Sequence, residues 1–332
     1  MVIERIHSLL FGNRRRIGVT IVCSIVLLVA LAFAAGLVGL PSVEETDSEF
    51  GTVNESHTEV RTAVTVNNPN LVSASRTDPA LEYAFTMNDI EMGQGEARNL
   101  DLDPGRSTET VTTVVRNDRI PQWWVTHLEN DERTELVLDS TLYTGVGWET
   151  HRTDVRCLET DLLAPLTTEE TQPVNVDQPL VSDPVLTVNE TRAEWGDVDD
   201  DHTTLEVSGV VYNPQAIDIP TAPLEYTVSM NDVVVGEGEY DDGEDEYLLE
   251  SEAETEIETS VRIDNDRLEE WWITHVERDQ NSTLQIEFEI GAEIEALDTT
   301  VAVPFEVYEG TLETDLLAQD DAAEGTVEEG PC

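Results

Sequence analysis

With 332 residues, 39% of them hydrophobic, the chain has room for about two ordinary domains and enough apolar material to give each a core. Its charge is extreme: 17 basic against 71 acidic residues leave a net −54. All 17 basic residues are arginine, and four (Arg5, Arg14, Arg15, Arg16) stand in the first 16 positions. The remainder has no basic patch with which to grip phosphates, which excludes nucleic acid as a partner.

Residues 1–16 form a basic N-terminus, and Ile17 to Leu40 follow as 24 residues without a charge. At about 1.5 Å per residue such a helix is roughly 36 Å long, against about 30 Å of bilayer hydrocarbon. Arg14-Arg15-Arg16 precede it, and Glu44, Glu45, Asp47 and Glu49 come after. By the positive-inside rule, 17–40 is expected to be a single-pass anchor in the cell membrane, with a cytoplasmic N-terminus and everything downstream extracellular. Two other readings stay open: cleavage near Ala32-Phe33-Ala34, or a twin-arginine export signal at Asn13 to Ile17. All three place the domains outside.

The next feature is a repeat. Asn117 to His127 (Asn-Asp-Arg-Ile-Pro-Gln-Trp-Trp-Val-Thr-His) returns 148 positions later at Asn265 to His275 (Asn-Asp-Arg-Leu-Glu-Glu-Trp-Trp-Ile-Thr-His). Around it, Phe50-Gly51-Thr52-Val53 answers to Trp195-Gly196-Asp197-Val198, and Asn68-Pro69 to Asn213-Pro214. Leu81-Glu82-Tyr83 answers to Leu224-Glu225-Tyr226, Met87-Asn88-Asp89 to Met230-Asn231-Asp232, and Leu158 to Leu163 recurs unchanged as Leu312 to Leu317. A period of one domain length means one module written twice. The expected organisation is a module at 43–165, a linker at 166–182, a module at 183–318 and an acidic tail at 319–332.

Within each module the pattern is that of strands. Leu284, Ile286, Phe288 and Ile290 alternate with Gln285, Glu287 and Glu289, as in an antiparallel strand wet on one face; Ile257 to Ile263 and Leu136 to Leu142 do the same. Asn88-Asp89 and Asn231-Asp232 suit type I′ hairpin turns, while Asn68-Pro69 and Asn213-Pro214 end strands with an Asx-type turn. The exception is the Trp stretch, which has helical spacing. Asp266 with Glu269 reads as a capping box, Asp118 as its counterpart, and Pro121 fits a first helical turn. His127 and His275 then end a short helix, where a protonated ring would be favoured. A helix that short needs one or both Trp rings buried to hold it. Each module is thus expected to be two small antiparallel sheets with one short helix before the last strands.

The Asn-Pro after a strand, the Asn-turned hairpin, the helix, and the closing Val303-Pro304-Phe305 with Gly310 to Asp315 resemble, twice over, the late embryogenesis abundant group 2 family, whose domain is also called the water stress and hypersensitive response (WHy) domain. The first copy departs by having Arg152 to Arg156 in place of the Val-Pro-Phe step. The resemblance implies an all-β fold, here two tandem fibronectin- or immunoglobulin-like β-sandwiches after a transmembrane helix. It also implies a non-enzymatic protein of the response to desiccation and osmotic stress. The Lys-free, carboxylate-rich surface resembles that of proteins from salt-accumulating halophiles.

No catalytic or nucleotide-binding motif is present, so no enzyme, cofactor or metal is expected. Gly93-Gln94-Gly95 and Gly236-Glu237-Gly238 read as matched strand-end glycines. Asn68, Pro69, Asn213, Pro214, Trp123, Trp124, His127, Trp271, Trp272 and His275 are expected to be structural, the four Trp as core. Asp199 to His202 and Asp241 to Glu246 read as solvated loops that a hard cation could visit. Asn54, Asn189 and Asn281 head sequons open to glycosylation on an exported protein. Cys23, Cys157 and Cys332 are odd in number and widely spaced, so no disulfide is expected. The membrane is the one partner implied; a protein or lipid partner stays unnamed.

Overall fold

The computed structural model describes residues 39, 41–71, 73, 78–144, 148–175, 183–240, 248–294, 299–314, 316–317, 327–329 and 331–332. The expected anchor, apart from Gly39, lies outside them, as does 241–247. Among the described residues no helix is long and apolar enough to cross a membrane.

The alternating segments do form strands. In the first half they are β1 (Ser42–Val53), β2 (His57–Asn68), β3 (Ala80–Met87), β4 (Ile90–Arg98) and β5 (Gly105–Arg116), then helix α1 (Ile120–Glu129), β6 (Arg133–Thr144) and β7 (Trp148–Glu159). A short β8 (Gln172–Val174) leads into the second half: β9 (Leu186–Val198), β10 (His202–Tyr212), β11 (Ile219–Met230), β12 (Val233–Tyr240), β13 (Leu248–Leu249), β14 (Glu254–Asp264), α2 (Leu268–Glu277), β15 (Asn281–Ile294) and β16 (Thr299–Glu313). β17 (Val327–Glu329) closes the chain.

The two halves pair their strands alike. β1-β2-β5 corresponds to β9-β10-β14, and β4-β3-β6-β7 to β12-β11-β15-β16, all antiparallel. Among the described residues three strands have no counterpart: β8 extends the sheet of β9, β17 extends that of β7, and the two-residue β13 pairs with the start of β11. The expected linker and acidic tail therefore each carry a strand that covers a sheet edge, where open N–H and C=O groups invite unwanted pairing. Cys157 and Cys332 are joined by a disulfide, against the expectation from their number. The partners lie 175 residues apart, and pairing at that range is set by β17 lying on β7, which spacing cannot reveal.

The matched glycines are interior to β4 and β12 and not at strand ends. A side chain on Gly93 would meet the Val114 carbonyl at 2.5 Å, and one on Gly236 would collide with that of Arg262. Glycine here lets the two sheets of each half touch along one edge. The first hairpin turn has the expected type I′ signature, with Asn88 (φ 47°) and Asp89 (φ 64°) both in the left-handed region; in the second only Asn231 (φ 56°) is, so the type I′ expectation fails at Asp232.

Among the described residues three apolar cores result. One lies at the far end of the first half (Val64, Val66, Leu81, Tyr83, Leu102, Val111), and one at the far end of the second (Val174, Leu186, Val188, Val211, Ile219, Leu249). The third and largest takes residues from both halves and holds all four tryptophans of the repeated stretch.

Candidate functional site at the junction of the halves

Each helix is ten residues long and too short to stand alone. A 3-10 turn precedes each. In the second half it is capped by Asp264, which accepts from the Asp266 N–H, so Asp266 is the residue capped and not the cap. In the first half no side chain caps the turn, and Asp118 has no such role. What holds both helices is burial: Trp123, Trp124, Trp271 and Trp272 are between 2% and 5% exposed.

The rings meet across the junction. Trp123 packs edge-on against Trp272 (centroids 6.2 Å) and Trp124 against Trp271 (6.0 Å), while Trp271 and Trp272 lie 6.5 Å apart. Phe50 of β1 stands 6.3 Å from Trp272 of the other half, and Trp195 of β9 stands 5.9 Å from Trp124. The arrangement is reciprocal, like the interface of a two-fold dimer.

Its polar wiring is reciprocal too. The indole N–H of Trp272 donates to Thr58 in the first half (2.9 Å), and that of Trp124 to Thr203 in the second (3.0 Å). Thr58 passes its own proton to Asn117, which donates to the Asn54 carbonyl; Thr203, Asn265 and Asp199 repeat the chain. Thr58, Asn117, Thr203 and Asn265 have no exposed surface, so each of these bonds spares an orphaned buried group. The Asn of the Asn-Asp-Arg triplet is thus the anchor of the stretch.

The histidines complete each half. Trp123 donates to Thr134 (2.8 Å), and Thr134 meets His127 Nδ1 (2.9 Å); Trp271, Ser282 and His275 do the same. His127 Nε2 meets Thr160 (2.9 Å), and Thr160 donates to Glu132. That donation leaves Thr160 as acceptor, which puts the ring proton on Nε2. Both rings are 2% exposed, and burial lowers both pKa values from 6.5 to about 4. They are neutral, contrary to the expected protonated cap at the helix end. Neither ring presents an edge to a substrate.

The halves differ at one buried carboxylate. Glu132, 8% exposed, accepts from the Leu162 N–H (2.6 Å) and from the indole of Trp195 across the junction (2.8 Å). The matching residue is Gln280, which accepts from the Leu316 N–H (2.7 Å), and Phe50, with no N–H to give, stands where Trp195 would.

The recurring Leu-Glu-Thr-Asp-Leu-Leu motif explains two cavities. Leu162 leaves the first half to line a cavity of about 440 Å³ walled by Leu205, Val228, Met230, Ile263 and Leu284 of the second. Leu316 and Leu317 return the exchange, lining a cavity of about 170 Å³ with Val60, Phe85, Val115 and Leu136 of the first. Beside the larger one lies an open cleft of about 890 Å³ bounded by Glu129, Asp131, Glu159, Asp161 and Asp197.

The remaining expected residues are placed as follows. Asn68 and Asn213 are buried and form the Asx turns: Asn68 accepts from the Asn70 N–H (3.1 Å) and Asn213 from that of Gln215 (2.9 Å). Each also donates to a distant carbonyl, of Leu102 and Leu249 respectively. Pro69 and Pro214 follow directly after them. Asp199, Asp201 and His202 bring potential ligand atoms within 4.8 Å, but Asp199 is already accepting from both N–H groups of its hairpin turn. Asn54 builds the same turn in the first half, so the geometry belongs to the turn. The Asn54 amide is taken up there, Asn189 donates to Glu254 (3.0 Å), and Asn281 starts β15. Thr58, Thr203, Glu132 and Trp195 were not readable as a set; Thr58 and Thr203 occupy matched positions, but only the fold shows that each serves the other half.

Residues 210–308 match the late embryogenesis abundant family. The matched segment runs from β10 to β16 and so contains α2, Asn213, Trp271, Trp272 and His275. No curated protein matches the chain. Among solved structures, a protein from Archaeoglobus fulgidus is similar at 26% identity, over 39% of this chain and 99% of that one, with a TM-score of 0.34. A protein from Arabidopsis thaliana is similar at 19% identity, over 35% of this chain and 77% of that one, with a TM-score of 0.26. A β-glucuronidase of glycoside hydrolase family 2 is similar at 10% identity and a TM-score of 0.24; the chain covers only 26% of that enzyme.

Proposed function

We propose that the chain is a non-enzymatic stress-protection protein of the late embryogenesis abundant group 2 type, anchored by 17–40 and facing outward, acting when water activity falls. The observation that carries this reading is the match at 210–308, extended to the first half by the residue-by-residue repeat. We take each half as one fibronectin-like sandwich, at 43–165 and 183–318. The outward placement is supported by Arg14 to Arg16 before the apolar run and by the Cys157–Cys332 disulfide, since such bonds persist in oxidising compartments. The Lys-free acidic surface supports a halophilic setting, in which salt screens self-repulsion. One instance lies at the junction: Glu269 has its pKa raised by burial and by Asp118 and Asp266. Deleting the gene should reduce survival of drying and osmotic shock; full survival would defeat the proposal.

The cavity of about 440 Å³ favours a second reading, a binding module that holds an apolar ligand at the junction. An apolar molecule co-purifying with the protein from its own cells would support it.

A further inference from the structure

The two cavities are one feature in two states. By strand register, Val228 corresponds to Phe85: the first pairs with Ile286, the second with Leu138. Gly310 likewise corresponds to Arg156, the first facing Leu284 and the second Leu136. Phe85 and Arg156 both line the smaller cavity. In the second half a valine and a glycine stand there, and the space is about 440 Å³ in place of about 170 Å³. Only the larger volume lies in the range of about 300–1,000 Å³ usual for small-molecule sites. The wall is mainly apolar, with Trp124, Leu205, Val228, Met230 and Ile263 among its residues and Thr160, Asp161, Ser282 and Thr311 as its polar members.

The mouth is chemically distinct from the wall. Thr160, Asp161 and Trp195 border both this cavity and the acidic cleft beside it. The residues bounding that cleft include Glu129, Asp131, Glu159, Asp161 and Asp197; Arg133 pairs with Glu159 (2.8 Å), so the carboxylates still outnumber the guanidinium. A ligand whose apolar part fills the cavity leaves its head among carboxylates, beside the ring of Trp195. An anionic head would be repelled there, whereas a cationic one is attracted both by the carboxylates and by the indole face.

Resting on the binding-module reading, we propose that the junction cavity takes a single-chain amphiphile with a cationic head: the chain lies against Trp124, Val228 and Gly310, and the head sits at Trp195 and Asp161. Two features serve selectivity. Val228 and Gly310 admit the chain, and the cleft chooses the sign of the head.

Decylpyridinium tests this on the full-length protein in 0.5 M KCl, because its head quenches tryptophan emission on contact and calorimetry counts its sites. Decanoate and decanol are the anionic and neutral counterparts. The expected result is saturable one-to-one binding of decylpyridinium, at least tenfold tighter than decanoate, and weakened at least tenfold by Val228→Phe with Gly310→Arg. Because that filled variant could fail to fold, the reverse pair Phe85→Val with Arg156→Gly is the second arm, and it should raise the stoichiometry from one to two. Binding of decanol or decanoate as tightly as the cation would overturn the head-group proposal and leave the binding-module reading standing. Saturable binding of none of the three would sink both. Cation binding unchanged in both variants would mean that it attaches to the acidic surface, and would overturn the proposal as well.

Discussion

The first half and the second half share strand order, helix, tryptophan pair and histidine, yet they part at a few buried places, and those places are informative. Where groups serve the pairing of the halves, the match is close: Thr58 with Thr203, Asn117 with Asn265, Leu162 with Leu316. Where they differ, each half has become suited to its own side. Glu132 faces an indole donor while Gln280 stands opposite a half that offers Phe50. A pair of first halves would bury a carboxylate oxygen with no donor, at a cost of about 1–3 kcal/mol or more. The two halves thus pair like the subunits of a dimer whose two faces are not interchangeable.

The comparison is broken most directly at the tryptophans. Trp124→Ala and Trp272→Ala should each cost about 3–5 kcal/mol in chemical denaturation, because each leaves a cavity and strips a buried threonine in the opposite half of its donor. Equal losses are expected from the reciprocal geometry. A silent variant on one side would show that the junction is not reciprocal.

Next in size is the pH response, where the halves should behave alike. His127 and His275 have folded pKa values of about 4 against an ordinary 6.5, so between those values the unfolded chain binds more protons than the folded one. Stability from this source is full above pH 6.5, falls as pH drops toward 4, and changes no further below that. The loss is on the order of 3 kcal/mol per ring. His127→Gln and His275→Gln should each flatten the pH-dependence of the denaturation midpoint by a similar amount; a profile that neither alters would refute burial as neutral rings.

The disulfide sharpens the contrast, since only the first half is clamped. Cys332→Ser should cost about 2–4 kcal/mol, and amide exchange should rise along β17 and the β7 edge while β16 is spared. Smallest is the exchange of the polar pair. Gln280→Glu should destabilise by about 1–3 kcal/mol, because the new carboxylate oxygen faces no indole, and adding Phe50→Trp should recover part of that loss. No recovery in the double variant would mean that Trp195 and Glu132 are not coupled.

How far the sequence could be read depended on the range of the interaction. Alternation in β15 and the type I′ turn at Asn88 and Asp89 are local, set by φ/ψ preference and side-chain period, and they are legible; the turn at Asn231 is legible as a hairpin but not in its type, since Asp232 stays out of the left-handed region. The Asx turns at Asn68 and Asn213 were legible for the same reason. The helix cap was misplaced by two residues because a 3-10 turn intervenes and Asp264 lies closer to its N–H groups. The histidines were misjudged because a helix end favours a charged ring only where water can reach it, and these ends are buried. The disulfide and the paired roles of Glu132 and Trp195 join residues far apart in the chain, and no spacing reports them.

From its order of residues alone this protein was bound to be β-rich, internally repetitive in sequence, acidic and furnished with two short helices needing cover, since those properties follow from composition, period and backbone preference. Folding in three dimensions decided which cover they received. Each ten-residue helix keeps the N–H of one indole within its own half and gives the other to the opposite half. That exchange made the junction into a shared core, with a cavity on either side of it, one of about 440 Å³ and one of about 170 Å³.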